Sequence, residues 1–380
     1  MARSRVCGGR FWAVGGFALA LAGCAEDGDE RTMASSAPDT VTLGQVGGDD
    51  SGGAEDDDDD DDGGDGEKFD VGSGNTDGPL PCNEGGDCET ECEAKEHTPC
   101  DDGTTDLFAA MGLGCPGDAE VSVSVDGTLA AMGVRTGFGS TGEWAPREGT
   151  AYAVLGSGFV SDLDMPTPAL DNDDSPTHCN DDLGEEYDKG AALPAPLRVT
   201  DVIGDCASDP TVLGSGDCSN TIQTQFDKGG AANDYTELRI EATVPGGANS
   251  LSYDFAFFST EYPEYYGSGF NDMFIGWLES EAWTGNVSFD VEGNPISLNA
   301  GFLDFRDDSG ATPELAGTCM QRHAGTRWLS TTAPVSPGED ITVVLAVFDL
   351  ADSILDSYVF LDNFNWGCDP TGMPQTEPVG

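Results

Sequence analysis

Two neighbouring segments, TELRIEATVPGG and SLSYDFAFF, limit the possible fold more than any other part of the chain. Leu238, Ile240, Ala242 and Val244 alternate with other residues in the first, and Leu251, Tyr253, Phe255 and Phe257 do so in the second. A period of two places one face of a strand against a core. Pro245-Gly246-Gly247 separates the two as a turn. The same grammar runs from about 119 to 370. Val121, Val123 and Val125 alternate in EVSVSVDG, LRVTDVI follows a Pro-rich loop, and DMFIGWLES and SYVFLDNFNW read as further strands. NVSFDVEGNPISLN reads as a hairpin turning at Glu292-Gly293-Asn294-Pro295. ITVVLAVFD is apolar on both faces, so it is expected at the centre of a sheet covered on both sides. Many short strands without βα alternation predict an all-β fold, an antiparallel β-sandwich of jelly-roll type with long loops. The Asp- and Pro-rich stretch from 156 to 196 reads as an insertion.

The N-terminus sets the compartment. Arg3, Arg5 and Arg10 precede an apolar run from Phe11 to Leu21, too short to span a bilayer, which takes ~20 apolar residues. This is a signal-peptide pattern, and its end, Leu21-Ala22-Gly23-Cys24, resembles the lipobox of bacterial lipoproteins. In that family the cysteine is acylated and becomes the first residue, so Cys24 is the expected lipidation site. The lipid bilayer is then a partner of the chain, with several acyl chains giving a stable anchor. An ordinary secretory signal with a chance cysteine is the alternative. Ala25 follows Cys24, not the Asp that in some bacteria retains lipoproteins at the inner membrane, which points to the outer membrane or cell surface.

Charge excludes whole classes of partner. Lys and Arg number 15 against 71 Asp and Glu, a formal net charge of −56. Such a chain has no basic face for nucleic acid and none for anionic lipid. Residues 24–80 include an unbroken run from Asp56 to Asp62 among glycines and are expected to form a disordered acidic linker after the signal peptide, residues 1–23. A Cys-rich collar is placed at 81–118, the sandwich at 119–370 and a disordered tail at 371–380. Beyond Cys7 and Cys24 ten cysteines remain: Cys82, Cys88, Cys92, Cys100, Cys115, Cys179, Cys206, Cys218, Cys319 and Cys368. An even set in an exported chain is read as disulfides. The alternative, a metal cluster around the first four with His97, has no common zinc spacing. The sequence does not fix the pairing, although Cys206 and Cys218 make a plausible local loop.

Two acidic stretches stand out. STEYPEYYGSGFND, residues 259–272, leaves one strand and enters the next, and VFDLADSILDSYVFLDNF, residues 347–364, repeats the theme. Carboxylates inside strand-rich sequence need partners. One reading gives them a hard cation, with Ca2+ held by Glu261, Asn271, Asp272, Asp349, Asp352 and Asp356. The other has Asp349 and Asp356 capping turns, with arginines 306, 322 and 327 supplying charge. Neither stretch fits the EF-hand spacing.

These stretches also carry a resemblance. S-T-E-Y-P-E-Y followed by G-S-G-F-N-D, then D-x-x-D-S-x-x-D-S-x-V-F-L, is similar to the choice-of-anchor L domain of exported bacterial proteins. The match is close at Glu261–Tyr265, Gly267, Ser268 and Phe270–Asp272, and again at Asp349, Asp352, Ser353, Asp356, Ser357 and Val359–Leu361; it is strongest over 220–370. The resemblance implies a β-rich surface module whose biochemical activity it does not specify, and it does not by itself imply an enzyme.

Catalytic constellations are missing from the sequence. His97, His178 and His323 lie in no nucleophile motif, and there is no G-x-S-x-G, H-E-x-x-H or P-loop. A carbohydrate-active hydrolase using paired carboxylates such as Glu261 with Asp272 or Asp349 is the alternative function. The favoured function is non-catalytic surface display for adhesion or ligand binding, toward a surface glycan or protein. Tyr262, Tyr265, Tyr266, Trp277 and Trp283 are the candidate contact rings; the alternative puts Trp277 in the core and packs the tyrosines on the loop.

Overall fold

A computed structural model describes residues 92–166, 178–199, 211, 213, 217–369 and 372–380. The signal segment with Cys24, the acidic linker, Cys82, Cys88 and Cys206 lie outside the described residues. Those described fall within one unit, Leu80–Gly380. Among them no helix is long and apolar enough to cross a membrane.

Two antiparallel sheets form a sandwich. In the first, β1 (Val121–Asp126), β4 (Ala232–Thr243), β12 (Asp340–Leu350), β6 (Met273–Glu279) and β7 (Thr284–Asn286) lie in that order, with β8 (Ile296–Ser297) also on β6. The second runs β14 (Gln375–Pro378), β11 (Leu329–Pro334), β5 (Ser250–Ser259), β13 (Ser357–Gly367), β3 (Tyr152–Gly156) and β2 (Met132–Arg135). Two-residue strands β9 (Phe305–Arg306) and β10 (Ala324–Gly325) extend it from β5.

The expected alternation is realised. Leu238, Ile240, Ala242, Leu251, Tyr253, Phe255 and Phe257 share one buried cluster with Val343, Leu345, Val347, Val359 and Leu361. This is the layer between the sheets. The second face of each sheet is covered as well. Val344, Ala346 and Phe348 of β12 pack with Trp277, Tyr235 and the helix α1 (Ile222–Gly229). Ala256, Phe258, Tyr358 and Phe360 pack with Phe138, Trp144, Leu315, Met320 and Trp328 from the long loops. The continuous hydrophobicity of ITVVLAVFD follows from this double burial, with β12 between β4 and β6. At β6 the packing is close enough to require glycine: a Cβ on Gly276 would stand 1.9 Å from the Tyr253 hydroxyl.

Three expectations are corrected. The tail is not structureless: Gln375–Pro378 pairs with Leu329–Thr332, and the Thr376 and Thr331 hydroxyls lie 2.9 Å apart. Leu197–Val199, the opening of LRVTDVI, is not strand; Leu197 is a buried prop under the first sheet. DLFAAMGL in the collar, a stretch that reads as a short helix, forms only one 3-10 turn, Ala109–Met111, whose Met111 enters the inter-sheet core. The collar is disulfide-knit, as expected, by Cys100–Cys115. Its first described cysteine, however, joins the far end of β13 through Cys92–Cys368, and Cys179–Cys319 fastens the 156–196 insertion to a distant loop. Cys218 is disulfide-bonded as well.

Candidate metal centre

The inward parity of the strands does not stop where the apolar core stops. On β5 the inward positions 253, 255 and 257 continue to Ser259 and, just past the strand, Glu261. On β12 positions 343, 345 and 347 continue to Asp349. Reading β6 backward, Phe274 is preceded two residues earlier by Asp272. Phe348 pairs with Met273, so the next step of that ladder sets Asp349 opposite Asp272. Like charges facing across a ladder repel. On β13, Val359 is preceded on the same parity by Ser357, and on β3, Leu155 leads to Ser157. One end of the sandwich is therefore closed by a layer of acids and hydroxyls in place of aliphatic side chains.

This layer is dry. Glu261, Asn271, Asp272, Asp349 and Asp356 are all 0% exposed, and Asp352 is half-buried. Their hydrogen bonding separates them into two kinds. Asp272 accepts from the Leu350 amide at 3.0 Å and the Ser357 hydroxyl at 2.7 Å, so it ties β6 to β12 and β13. Asp356 accepts from the Asp181 amide and the Tyr358 hydroxyl, both at 2.9 Å. Asn271 gives its oxygen to the Asn299 amide at 2.9 Å, and Asn299 in turn accepts from Gly267 and donates to Ser268. These are the turn-fastening roles of the capping alternative. Glu261 and Asp349 differ: all four of their carboxyl oxygens lack a hydrogen-bond partner, as does Oδ1 of Asp352.

The arginine half of that alternative is not realised. None of the ion pairs among the described residues includes Glu261, Asp272, Asp349, Asp352 or Asp356. Arg327 pairs with Asp304, and the Arg306 guanidinium lies 4.8 Å from the Tyr266 ring centroid. Burial, with no compensating cation, pushes the carboxyls upward. Glu261 is raised to about 10 by burial and then by the charges of Asp272, Asp352 and Glu264. Burial likewise lifts Asp272 to about 7 against its two donors. Asp349 is driven well above the carboxylate range by burial and then by the charges of Asp272 and Asp356.

An unpaired buried carboxylate either stays protonated or takes a cation. The donor set is all oxygen, which suits calcium rather than a soft metal. The acids meet as pairs such as Asp272 with Asp349. Among the described residues, only His97, Cys115 and Asp118 bring three acidic, histidine or cysteine ligand atoms within 4.8 Å of one another. Cys115 is in a disulfide and His97 Nδ1 lies 2.7 Å from Asp118, so that trio is a half-buried histidine–carboxylate contact beside a disulfide and not a metal site. A calcium at the acidic layer would complete its shell from carbonyls and hydroxyls, which it accepts readily.

The candidate contact rings fare unequally. Trp283 is 1% exposed inside the inter-sheet core and Trp277 is 0% exposed on the far face of the first sheet, which corrects both as contact residues and bears out the core alternative for Trp277. Tyr262 is 8% exposed and donates to Asp308, while Tyr265 and Tyr266 remain exposed at the rim of the acidic end, edge-on to Phe270 and Tyr262. His323, buried, has Nδ1 2.7 Å from the Tyr262 carbonyl, and burial lowers its pKa, so it is a neutral prop for the loop. His178 sits by Asp162 at 3.6 Å.

Sequence reasoning missed Asp234, Ser157 and Asp181. Asp234 is 0% exposed, and its signal was present: counting back from Ile240 and Leu238 through Thr236 on β4 reaches it on the inward parity.

Residues 203–365 match the family model of the choice-of-anchor L domain. No curated protein and no solved structure matches the chain. Both acidic stretches fall inside the matched segment, whereas β1, β2 and β3 precede it and β14 follows it. Over residues 203–365 the chain is therefore similar to the choice-of-anchor L domain, a likeness that points to an exported, surface-associated protein.

Proposed function

We propose that this chain is an outer-membrane or cell-surface lipoprotein, anchored by acylated Cys24, that displays a calcium-stabilised β-sandwich for adhesion or ligand binding without catalysis. The observation that carries the calcium is the set of buried, partnerless oxygens on Glu261 and Asp349, facing Asp272 at the end of the inter-sheet core. Calcium would bind Glu261, Asp272 and Asp349 with Asp352 at the open side, while Asn271 and Asp356 hold the two loops in place. The order of basic residues, short apolar run and lipobox supports the anchor. Exposed Tyr265 and Tyr266, with Arg306 beneath Tyr266, offer the contact rim for a surface glycan or protein, set on a loop that the metal would stiffen.

The decisive test is thermal unfolding of the purified chain in calcium and in EDTA, together with its metal content. A raised midpoint in calcium and bound calcium after buffer exchange are expected; equal midpoints and no metal would reject the calcium. Labelling with radioactive palmitate that persists in a Cys24→Ser variant would reject the anchor. A glycan and surface-protein array without calcium-dependent hits would reject the binding role.

A further inference from the structure

We infer that the open edge of β1 is a docking site for an extended segment of another protein, one in which apolar and basic residues alternate. The segment adds a strand to the first sheet. The inference names a partner class at a second place on the molecule, and it depends on neither the calcium nor the tyrosine rim.

β1 is the last strand of its sheet, and among the described residues it pairs only with β4. Ser122, Ser124, Val125 and Asp126 are exposed. In an antiparallel pair every second residue turns its backbone N–H and C=O toward its neighbour, and the others turn theirs away. Along β1 the groups turned away meet no described strand. Folded proteins guard such an edge by keeping it short, or with lysine, proline, a bulge or a covering loop. The other sheet edges follow that rule: β7 has three residues, β2 and β14 have four each, and β14 ends in Pro378. β1 does not. VSVSVD has six residues, no lysine and no proline, and its register with β4 runs unbroken from Val121–Ala242 to Asp126–Glu237.

The two faces of the edge specify the segment. On the inner side Val121 and Val123 are half-buried against the inter-sheet core. Val125 is 38% exposed, and Leu129, just beyond the strand, is 81% exposed. Where β1 begins, Ala119 and Val121 form one wall of a cavity of about 290 Å3, with Leu113, Pro245, Phe364 and Trp366 among its other walls. A strand laid on β1 stands ~4.8 Å away, so its inward side chains cover the valines. The one nearest Val121 reaches the cavity. Main-chain bonding along an edge, with a pocket for a side chain beside it, is the arrangement by which sheets capture extended peptides.

The outer side is negative. Ala242 lies in the inter-sheet core, so Glu241 points away from it, level with Ser122 of β1 and Thr342 of β12. Glu120, Glu241 and Asp340 line an open depression of about 590 Å3 there, and no described lysine or arginine lines it. Neither Glu120 nor Glu241 belongs to an ion pair among the described residues, whereas Asp126 at the far end is matched by Lys189 at 2.9 Å. Uncompensated acid on one face and open valines on the other fit a strand with Lys or Arg at every second position. A net charge of −56 steers such a segment toward the chain. The same charge opposes a second copy, whose acidic outer face would be set beside this one.

Hydrogen exchange on the full chain in physiological salt is the test. The probe is a capped peptide of alternating valine and lysine, and the control has the same composition in two blocks. The alternating peptide is expected to slow exchange about tenfold or more at the β1 amides that do not face β4, and the block peptide is not. Charge reversal at two exposed positions, Glu120→Lys with Glu241→Lys, should weaken the alternating peptide about tenfold and admit a valine–glutamate one. Tyr265→Ser should leave the protection unchanged, which separates this edge from the rim. Equal protection by the block peptide, or protection confined to the acidic linker, overturns the site, because charge attraction alone then explains the binding. Binding that survives the double charge reversal overturns it as well. So do outward β1 amides that already exchange slowly in the chain alone. If that slowing grows with chain concentration the occupant is a second copy, and if it does not the chain covers its own edge.

Discussion

Between the sheets, the same strands build two regions of opposite character. In the middle, Leu345, Val347, Phe255 and Phe257 point inward; a few residues further along the same strands and on the same parity, Asp349 and Glu261 do. Both regions are sealed from water. The apolar one is sufficient in itself, since burial is its driving force at about 25 cal/mol per Å2. The acidic one opposes its own formation, because burying like charges costs several kcal/mol per ion unless something pairs with them. The same alternating pattern thus specifies a stable core at one depth and a conditional one at the other. On the calcium reading the condition is a bound cation; without one it is protonation of the acids.

Breaking each region separately sharpens the contrast. Phe255 is fully buried and packs 4.9 Å from Phe274, centroid to centroid. Phe255→Ala is expected to cost about 3–5 kcal/mol in chemical denaturation, equally in calcium and in EDTA. A cost that depended on calcium would show that the two regions are not separable. Asp349→Asn should behave in the opposite way. It should abolish the calcium-dependent increment, about 2.7 kcal/mol at a calcium concentration a hundred times the dissociation constant, while leaving the metal-free chain no weaker. A calcium response that survives this change would place the metal elsewhere.

pH separates them next. The folded-state values of Glu261, about 10, and Asp272, about 7, lie above the unfolded ones of ~4.3 and ~3.9. In EDTA the folded chain therefore binds more protons than the unfolded one, so its stability is greatest near pH 4 and falls as pH rises through 7. In calcium the trend reverses, because the metal displaces those protons. Melting temperatures from pH 4 to 8 in both buffers check the two slopes, and parallel slopes would refute the contrast. The smallest effect belongs to the rim: Tyr265→Ser should shift stability by no more than about 0.5 kcal/mol in either buffer. It should nonetheless weaken any ligand found by array.

The sequence carried the sandwich well because its signal is local. Leu238 to Val244 and Leu251 to Phe257 announce their strands within a few residues, and ITVVLAVFD announces a centre. The acidic layer was half legible. The two stretches could be paired by composition, but only strand register shows that Asp272 faces Asp349, while Glu261 closes the opposite sheet. Asp234 sits on the readable inward parity of β4, whereas Asp181 was hidden by a loop whose position depends on a disulfide between residues 140 apart in sequence. Trp283 looked like a surface platform because aromatic residues flanked by Ser, Glu and Gly read alike in a rim and in a strand entering the core. The tail was misread since Gln375–Pro378 has no apolar pattern; it is held by β11 and not by its own hydrophobicity.

The disulfide Cys92–Cys368 closes a loop of 276 residues that contains nearly the whole sandwich. Tension applied between the segment before Cys92 and the C-terminus would pass straight across this bond. The residues from 93 to 367 would carry none of it, and only the stretch from 369 to 380, with β14, would extend. Single-molecule pulling should show a short extension until reductant is added, and a long one afterwards. The bond is thus a mechanical bypass wired in parallel with the fold.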